Sequence, residues 1–327
     1  MSLKNLDYTQ FEQIFSDIID GKINKIDAKK ILLEINEVGF KTATFVGAMN
    51  VLQARMRKIN APKGAIDLCG TGGDNLQTLN ISTAMSFVVA AAGVVVAKHG
   101  NKAISSKSGS ADIFGELGVK ISDDILEIEK NLREKKLCFL FAPFFHESLK
   151  NLAEIRREIA QEFNVATIFN YLGPLLNPAN VTRQFIGTSK KETMSPMIEA
   201  LKIKGSEAVY IVCGFDKMDE ITLCDNSYFM KLENGKISEE EIINPQNFGF
   251  KKCKIDDLRG ENPQYNAQKL IGLLSGEKSF YRDIVILNSA YALKLSSLVK
   301  SVEEGVILAQ KLIDENKAMK VLESLKL

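Results

Sequence analysis

The sequence has no tryptophan, two histidines and five cysteines among its 327 residues. The cysteines are odd in number, widely spread and never arranged as CxxC, which argues against both a disulfide framework and a zinc site. A large excess of charge of either sign is also missing, since the net charge is +1. Nothing in the composition therefore points to a polyanionic partner such as DNA or an acidic membrane surface.

Long apolar segments are absent as well. The longest apolar run, residues 87–97, is too short to cross a bilayer. The first fifteen residues contain no basic stretch followed by an apolar one, so no secretory signal is visible. With 45% apolar and 25% charged residues, the composition is ordinary for a globular protein. We expect a cytoplasmic protein without membrane or nucleic-acid partners.

The first sixty residues have the periodicity of helices. Thr9 and Glu12 have the spacing of a capping box, and the apolar residues that follow share one face of a helix. Two further helical segments are predicted, "DAKKILLEINEVG" and "TATFVGAMNVLQARMRK". Pro62 and Gly64 then mark the end of this helical block.

Strand-like and helical segments alternate after residue 64. Short β-rich runs occupy residues 65–69, 94–98, 137–142 and 208–214, and helical segments occupy 81–92, 125–135 and 192–202. "YFMKLENGKI" is a further strand candidate. The pattern predicts an α/β protein: a small all-helical domain (residues 1–63, joined by part of about 160–200) and a large domain (64–327) with a central, mostly parallel sheet flanked by helices.

Glycines concentrate directly after the first predicted strand, in "IDLCGTGGDNLQTLNIST". Gly70, Gly72 and Gly73 would let backbone N–H groups approach phosphate oxygens near a helix N-terminus. A tight turn followed by an ordinary Ser/Thr helix cap is the alternative. The stretch is neither a Walker loop nor GxGxxG, so a nicotinamide dinucleotide is not indicated.

Two more loops follow predicted strands and should lie at the same sheet edge. "KHGNKAISSKSGSAD" combines three lysines with serines and glycines, which suits a phosphate site, although a solvated lysine loop remains possible. Asp219 and Glu220 are adjacent carboxylates that could bind Mg²⁺ beside a phosphate. In isolation such a pair is usually solvated.

Two side chains could serve a second ligand. Arg156 and Arg157 lie in "AEIRRE", where helical spacing favours surface ion pairs, although one arginine could instead bind a carboxylate. His99 follows Lys98 at a strand end. A single histidine in such a place is as easily structural as functional.

Taken together, "GTGGD", "NISTA", "KHGNKAISSKSGSAD", "IFNYLGPLLNPA" with "RQFIG", and "DE" occur in the order and spacing found in the anthranilate phosphoribosyltransferase family. The sequence resembles that family over nearly its whole length. The resemblance implies transfer of the phosphoribosyl group of phosphoribosyl pyrophosphate to anthranilate in tryptophan biosynthesis, and a homodimer. An association with an anthranilate synthase subunit is a further expectation.

The resemblance also implies roles for individual residues. Phosphoribosyl pyrophosphate would be bound by the glycine loop, the following helix start and the lysine-serine loop: Gly70, Thr71, Gly72, Gly73, Asp74, Thr78, Asn80, Ser82, Thr83, Lys98 and Ser110. Anthranilate would contact Gly70, His99, Asn101 and Arg156. Two Mg²⁺ ions would be held by Ser82, Asp219 and Glu220. A hinge near "GPLLNPA" would let two domains close.

Three departures from the family pattern stand near these motifs. Lys102 occupies a position where arginine is usual, and Cys213 one where histidine is usual. "REIAQEFNVATIF" is a few residues longer than the corresponding family segment, which bears on the geometry around Arg156. Two competing functions are also compatible with the sequence. A pyrimidine-nucleoside phosphorylase resembles this fold but would have little need of Asp219 and Glu220. A non-catalytic relative that binds nucleic acid would be expected to carry a strongly positive charge.

Overall fold

The computed structural model describes residues 3–102 and 107–326. The strands within these ranges are β1 Ile66–Gly70, β2 Val96–Gly100, β3 Leu137–Phe141, β4 Arg183–Gly187, β5 Ala208–Gly214, β6 Ser227–Glu233, β7 Lys236–Ile237 and β8 Glu241–Ile243.

The α-helices are α1 Tyr8–Ile19, α2 Lys25–Val38, α3 Thr42–Arg55, α4 Ile81–Ala91, α5 Ser110–Glu116, α6 Ile125–Glu134, α7 Ala142–Phe145, α8 Ala153–Phe163, α9 Ile168–Tyr171, α10 Met194–Ile203, α11 Pro263–Leu274, α12 Phe280–Leu295, α13 Val302–Asp314 and α14 Lys317–Lys326. Short 3₁₀ helices cover Leu3–Asn5, Glu147–Leu152, Gly173–Leu175, Lys191–Thr193, Pro245–Phe248 and Ile255–Leu258.

All strands belong to one sheet in the order β3-β2-β1-β4-β5-β6-β7, and β8 also pairs with β6. The five strands from β3 to β5 are parallel, and β6 to β8 extend the sheet in antiparallel fashion. The predicted α/β class with a mostly parallel sheet is therefore confirmed. β6 and β7 form a hairpin whose turn residues, Asn234 and Gly235, both have positive φ, of 51° and 72°.

Strand β4 lies between β1 and β5 in the middle of the sheet. The sequence did not predict it, because "RQFIG" is short and begins with two polar residues. Gln184 is nevertheless buried, and its Nε2 donates to the carbonyl of Pro174 at 2.6 Å. The loop that carries Asp219 and Glu220, called the acidic loop below, spans residues 215–226. Because β4 was not predicted, this loop follows the fifth strand of the chain and not the fourth.

Alternate residues of the central strands face two different hydrophobic clusters. Phe185 packs with the cluster that contains α4, α12 and α13, whereas its neighbour Ile186 packs with the one formed by α1 to α3 and α10. This alternation follows from the period of two in a strand. The sheet is therefore covered by helices on both faces, as parallel strands require.

Helix α1 begins earlier than the sequence predicted. Its N-cap is Asp7, whose carboxylate accepts from the N–H of Gln10 at 2.9 Å, while Gln10 Oε1 accepts from the Asp7 N–H. The predicted box of Thr9 and Glu12 is wrong, because Thr9 lies inside the helix and its hydroxyl donates to Asp7. Among the described residues, no helix combines the length and apolarity needed to span a membrane.

Candidate active site at the strand ends

Three loops lie at the carboxyl-terminal edge of the parallel strands. They follow β1, β2 and β5, each of which ends in a glycine: Gly70, Gly100 and Gly214. Ligands of open α/β sheets bind at this edge. The predicted convergence of the first and third loops is directly visible, since the Gly72 N–H donates to the Asp219 carboxylate at 2.7 Å.

The glycine loop after β1 has an unusual backbone. Gly72, Gly73, Asn75 and Gln77 all have positive φ, between 55° and 77°. Such a conformation is accessible to glycine at little cost and is strained for most other residues. Among the described residues, no atom lies within 4 Å of the place where a Cβ at Gly72 or Gly73 would project, so none of them covers this backbone.

Two other glycines are needed because the acidic loop approaches the sheet so closely. A Cβ at Gly70 would lie 2.2 Å from Asp219 Oδ2, and one at Gly187 would lie 1.5 Å from the Asp219 carbonyl oxygen. Any side chain at Gly187 would therefore displace the backbone that carries Asp219. Gly187, at the end of the unpredicted strand β4, is a part of the site that sequence reasoning missed.

Three carboxylates form a cluster where the two loops meet. Oxygens of Asp74, Asp219 and Glu220 all lie within 4.8 Å of one another. Asp219 and Glu220 are each only 8% exposed, so the interpretation of a solvated acidic pair is wrong. Their placement joins Asp74, predicted only as a phosphoribosyl pyrophosphate contact, to the predicted metal ligands.

Electrostatics in this cluster favour protons or a cation. Burial, and next the charge of Asp219, raises the pKa of Asp74 to about 7 and raises the pKa of Glu220 well above its usual value. Oε2 of Glu220 is buried and has no hydrogen-bond partner among the described residues. Oxygen donors of this kind fit Mg²⁺, which prefers carboxylates and phosphates.

Lys98 is buried beneath the site and not solvated as an exposed loop lysine would be. Its side chain is 1% exposed, and its ammonium donates to the Leu68 carbonyl at 2.6 Å and to Ser82 Oγ at 3.3 Å. The charge of Lys98 lowers the pKa of Glu220 against the larger effect of burial. Lys98 thus connects the predicted metal ligand Ser82 electrostatically with the acidic loop.

The start of α4 provides polar groups that do not cap the helix. Asn80 makes no side-chain cap, and its amide instead donates to the Ser108 carbonyl at 3.1 Å and accepts from Asn266. Thr83 Oγ1 donates to Ser110 Oγ at 3.1 Å. These bonds connect the α4 start with the end of the loop after β2.

Two further residues predicted to bind phosphate, Thr71 and Thr78, are held in place by backbone hydrogen bonds. The Thr71 N–H donates to the Gly187 carbonyl at 2.9 Å. Thr78 forms an isolated antiparallel bridge with Arg259. Lys102 and Lys107 are exposed, as the alternative of a solvated loop expected, whereas Ser105 and Ser106 lie outside the described residues.

Both histidines are buried near the ends of β2 and β3. His99 Nδ1 is 3.1 Å from the Gly173 carbonyl oxygen, and the rings of His99 and His146 are 5.2 Å apart. Burial lowers the pKa of His99 to about 3 and that of His146 to about 4, so both rings are neutral near pH 7. His99 Nε2 has no hydrogen-bond partner within the described part of the chain.

Arg156 projects from α8, which packs against α2 and the 3₁₀ helix Glu147–Leu152. The glutamates of α8 pair with lysines of α2, for example Glu158 with Lys25 and Lys29. The expected surface ion pairs of Arg156 and Arg157 are therefore wrong: within the described ranges neither guanidinium has an ion pair. Arg156 is half-buried, and burial lowers its pKa.

Asp67 is a second residue that sequence reasoning missed. It lies inside β1, is 1% exposed, and its Oδ1 accepts from the N–H groups of Leu68 and His99. Burial raises the pKa of Asp67 to about 6. The sequence did contain a signal for a buried, hydrogen-bonded carboxylate here, because Asp67 stands inside the otherwise apolar run "AIDLC". By contrast, Cys213 packs in the hydrophobic cluster on the α1–α3 face of the sheet.

Comparison with known proteins agrees with this geometry. Residues 62–319 match the model of the glycosyl transferase family, a/b domain. The anthranilate phosphoribosyltransferase of Bacillus cereus (strain G9842) is 45% identical over 260 residues, which are 80% of this chain and 75% of that protein. The chain belongs to the anthranilate phosphoribosyltransferase family.

Solved structures of anthranilate phosphoribosyltransferases share the fold. The enzyme from Thermus thermophilus superposes with a TM-score of 0.89 at 29% identity, covering 98% of this chain and 95% of that one. The Saccharomyces cerevisiae enzyme in complex with phosphoribosyl pyrophosphate and Mg gives a TM-score of 0.87 at 25% identity, covering 98% and 92%. The similarity therefore extends over both the helical and the α/β parts of the chain.

Proposed function

We propose that this protein transfers the phosphoribosyl group of phosphoribosyl pyrophosphate to the amine of anthranilate, giving N-(5-phosphoribosyl)anthranilate and pyrophosphate in tryptophan biosynthesis. The enzyme is a magnesium-dependent phosphoribosyltransferase. The observation that carries the proposal is the cluster of half-buried Asp74 with buried Asp219 and Glu220 against the glycine loop. The cation of a bound diphosphate would carry positive charge to the three carboxylates, and the diphosphate itself would accept from backbone N–H groups.

The phosphoribosyl pyrophosphate site is proposed to comprise the loop after β1, the start of α4 and the β2 region: Gly70, Thr71, Gly72, Gly73, Asp74, Thr78, Asn80, Ser82, Thr83, Lys98 and Ser110. Ser82, Asp219 and Glu220 would hold two Mg²⁺ ions, and we add Asp74 to this set because of its distance to the other carboxylates. When bound, the metal would stabilise negative charge on the departing pyrophosphate.

Breaking the bond between C1 and the pyrophosphate builds negative charge on the leaving group and positive charge on the ribose. Backbone N–H groups of the glycine loop would stabilise the negative charge on the leaving group. The Gly72 N–H instead donates to Asp219 and holds the loop that carries the proposed metal ligands beside the glycine loop. Most of the rate enhancement would then come from positioning and from leaving-group electrostatics.

The acceptor requires little base assistance, because the aryl amine of anthranilate is neutral near pH 7. The neutral state of both histidines agrees with this requirement. We propose that Gly70, His99, Asn101 and Arg156 line the anthranilate site and that Arg156 binds the carboxylate. A half-buried guanidinium without an ion-pair partner in the described chain is suited to that role.

Further features of the family are proposed here for this chain. The helical segment 1–63, with part of about 160–200, would form a small domain that closes on the α/β domain. Hydrogen bonds between His99 and Gly173 and between Gln184 and Pro174 hold the start of "GPLLNPA" to the sheet. This segment would therefore serve as the hinge. A cytoplasmic homodimer, with association with an anthranilate synthase subunit, completes the proposal.

Loss of anthranilate fluorescence tests the function. The purified protein should extinguish it only when phosphoribosyl pyrophosphate and Mg²⁺ are both present, and benzoate analogues without the amine should not be consumed. Uridine with inorganic phosphate serves as the control for a nucleoside phosphorylase. Phosphorolysis of uridine without any consumption of anthranilate would contradict the proposal.

A further inference from the structure

The acidic pair lies in the connection between β5 and β6, and side chains within that connection maintain its shape. Asp216 accepts from the N–H of Met218 at 3.1 Å and from the hydroxyl of Thr222 at 2.6 Å. The Thr222 N–H in turn donates to Ser227 Oγ at 3.1 Å. These bonds determine the shape of the loop but not its position relative to the glycine loop.

Besides the bond from the Gly72 N–H to Asp219, a contact from α12 holds the loop in position. Asn288, in the middle of α12, is fully buried, and its Oδ1 accepts from the N–H of Ile221 at 2.9 Å. Its Nδ2 donates to the carbonyl of Ile221 at 2.8 Å and to that of Ile284 at 2.9 Å. The amide therefore binds both polar backbone groups of the residue that immediately follows Glu220.

The same helix contacts the other half of the phosphate site. The hydroxyl of Tyr281 donates to the Asn80 carbonyl at 3.1 Å, at the start of α4. Tyr281 and Asn288 are seven residues apart, which places them on one face of α12 and about 10 Å apart along its axis. Burial, and to a smaller degree the charge of Glu220, raises the pKa of Tyr281, so the hydroxyl remains a donor.

We propose that Tyr281 and Asn288 are positioning residues, through which α12 sets the distance between the metal-binding carboxylates and the phosphate-binding start of α4. Helix α12 is suited to this because it packs against α4, α13 and β4. The acidic loop and the start of α4 would thereby be held by the same rigid helix. Neither side chain needs to contact substrate, and the inference rests on the proposed magnesium site.

The test compares Asn288→Ala and Tyr281→Phe with Ser289→Ala. Ser289 is the next residue of α12, is equally buried, and its hydroxyl has no partner among the described residues. Calorimetric titration with phosphoribosyl pyrophosphate in Mg²⁺ should give a dissociation constant roughly tenfold higher for Asn288→Ala. Loss of one neutral hydrogen bond in Tyr281→Phe should raise it about fivefold. Ser289→Ala should match the wild type.

Two further readouts separate positioning from a general loss of structure. Hydrogen exchange at the Ile221 amide should accelerate in Asn288→Ala, and the KM for phosphoribosyl pyrophosphate should rise while that for anthranilate stays unchanged. Wild-type affinity in Asn288→Ala with faster exchange at Ile221 would overturn the inference. If Asn288→Ala does not fold, wild-type affinity in Tyr281→Phe overturns it. A wild type that binds but leaves anthranilate unchanged contradicts the proposed function and not this inference.

Discussion

The two halves of the proposed site are built differently. The pyrophosphate half is cross-linked by hydrogen bonds between loops, such as Gly72 to Asp219 and Asn80 to Ser108, and its Asp219 and Glu220 are buried. The anthranilate half contains a half-buried Arg156 without an ion pair, and an exposed Asn101, within the described ranges. Gly72, Asp219 and Asn80 of the first half are held by these hydrogen bonds before ligand arrives, whereas Arg156 and Asn101 of the second offer groups that a ligand would complete.

This difference agrees with the chemistry proposed for each half. Stabilising charge on a leaving group requires donors and cations in fixed places before the bond breaks. Binding a small acceptor requires only that it be held in the correct orientation near C1. Substitutions in the pyrophosphate half should therefore reduce turnover, and those in the anthranilate half should mainly change one KM.

The largest effect is expected from Asp219→Asn combined with Glu220→Gln. Turnover should fall by roughly a thousandfold or more and lose its magnesium dependence, because two of the proposed metal ligands are removed. The fluorescence assay across a range of Mg²⁺ concentrations measures both. Asp225→Asn is the matched control, since Asp225 lies in the same loop and pairs with Lys252 at the surface. Unchanged activity in the double variant would refute the metal assignment.

A methyl group at Gly70 should have the next largest effect. Gly70→Ala forces Asp219 Oδ2 away from its position, and we expect turnover to decrease roughly a hundredfold through lost metal affinity. Gly115→Ala is the control, because no described residue comes within 4 Å of the added carbon in α5. Equal activity of the two variants would show that the close approach of Asp219 is not needed.

Arg156→Ala should affect only the anthranilate half. Removing the carboxylate's partner should raise the KM for anthranilate roughly tenfold to a hundredfold and leave that for phosphoribosyl pyrophosphate nearly unchanged. Arg157→Ala tests the exposed neighbour on the same helix and should have no effect on either constant. Equal increases in both constants for Arg156→Ala would mean that Arg156 is structural.

The smallest effect concerns pH and the metal-free protein. Because the pKa of Asp74 is raised from 3.8 to about 7, the folded state binds this proton more tightly than the unfolded state does. Its contribution to stability is present below about pH 4 and is lost as pH rises through 7. Thermal unfolding in EDTA should show a loss of roughly 1–3 kcal/mol over this window, which Asp74→Asn reduces. An identical pH dependence in the two proteins would contradict this assignment.

Much of this architecture could be predicted from local patterns. Buried parallel strands are visible in the sequence as short apolar runs, and four of the five parallel strands were found at nearly their observed bounds. Strand β4 was missed because its burial depends on its neighbours: Gln184 is polar, but its amide is satisfied by the Pro174 carbonyl, which no local pattern indicates. The N-cap of α1 was misplaced because Asp7 and Thr9 both carry side-chain oxygens that can cap a helix.

The features of the site that could not be predicted also depend on contacts between residues distant in sequence. "GTGGD" and "DE" indicated phosphate and metal binding, but not that Asp74 joins Asp219 and Glu220. The requirement for Gly187 depends on the approach of a loop about thirty residues away in sequence, and no local pattern contains that distance. Burial of Asp219 and Glu220 was equally invisible, because adjacent carboxylates in a loop are usually solvated.

The central claim is that the carboxylates after β1 and β5 form the metal site of a phosphoribosyl pyrophosphate enzyme. Crystals grown with Mn²⁺ in place of Mg²⁺ and with phosphoribosyl pyrophosphate test it through the anomalous signal of the metal. We expect metal peaks at coordination distance, about 2.0–2.3 Å, from oxygens of Asp219, Glu220 or Asp74. Bound phosphoribosyl pyrophosphate with no metal peak near these three carboxylates would contradict it.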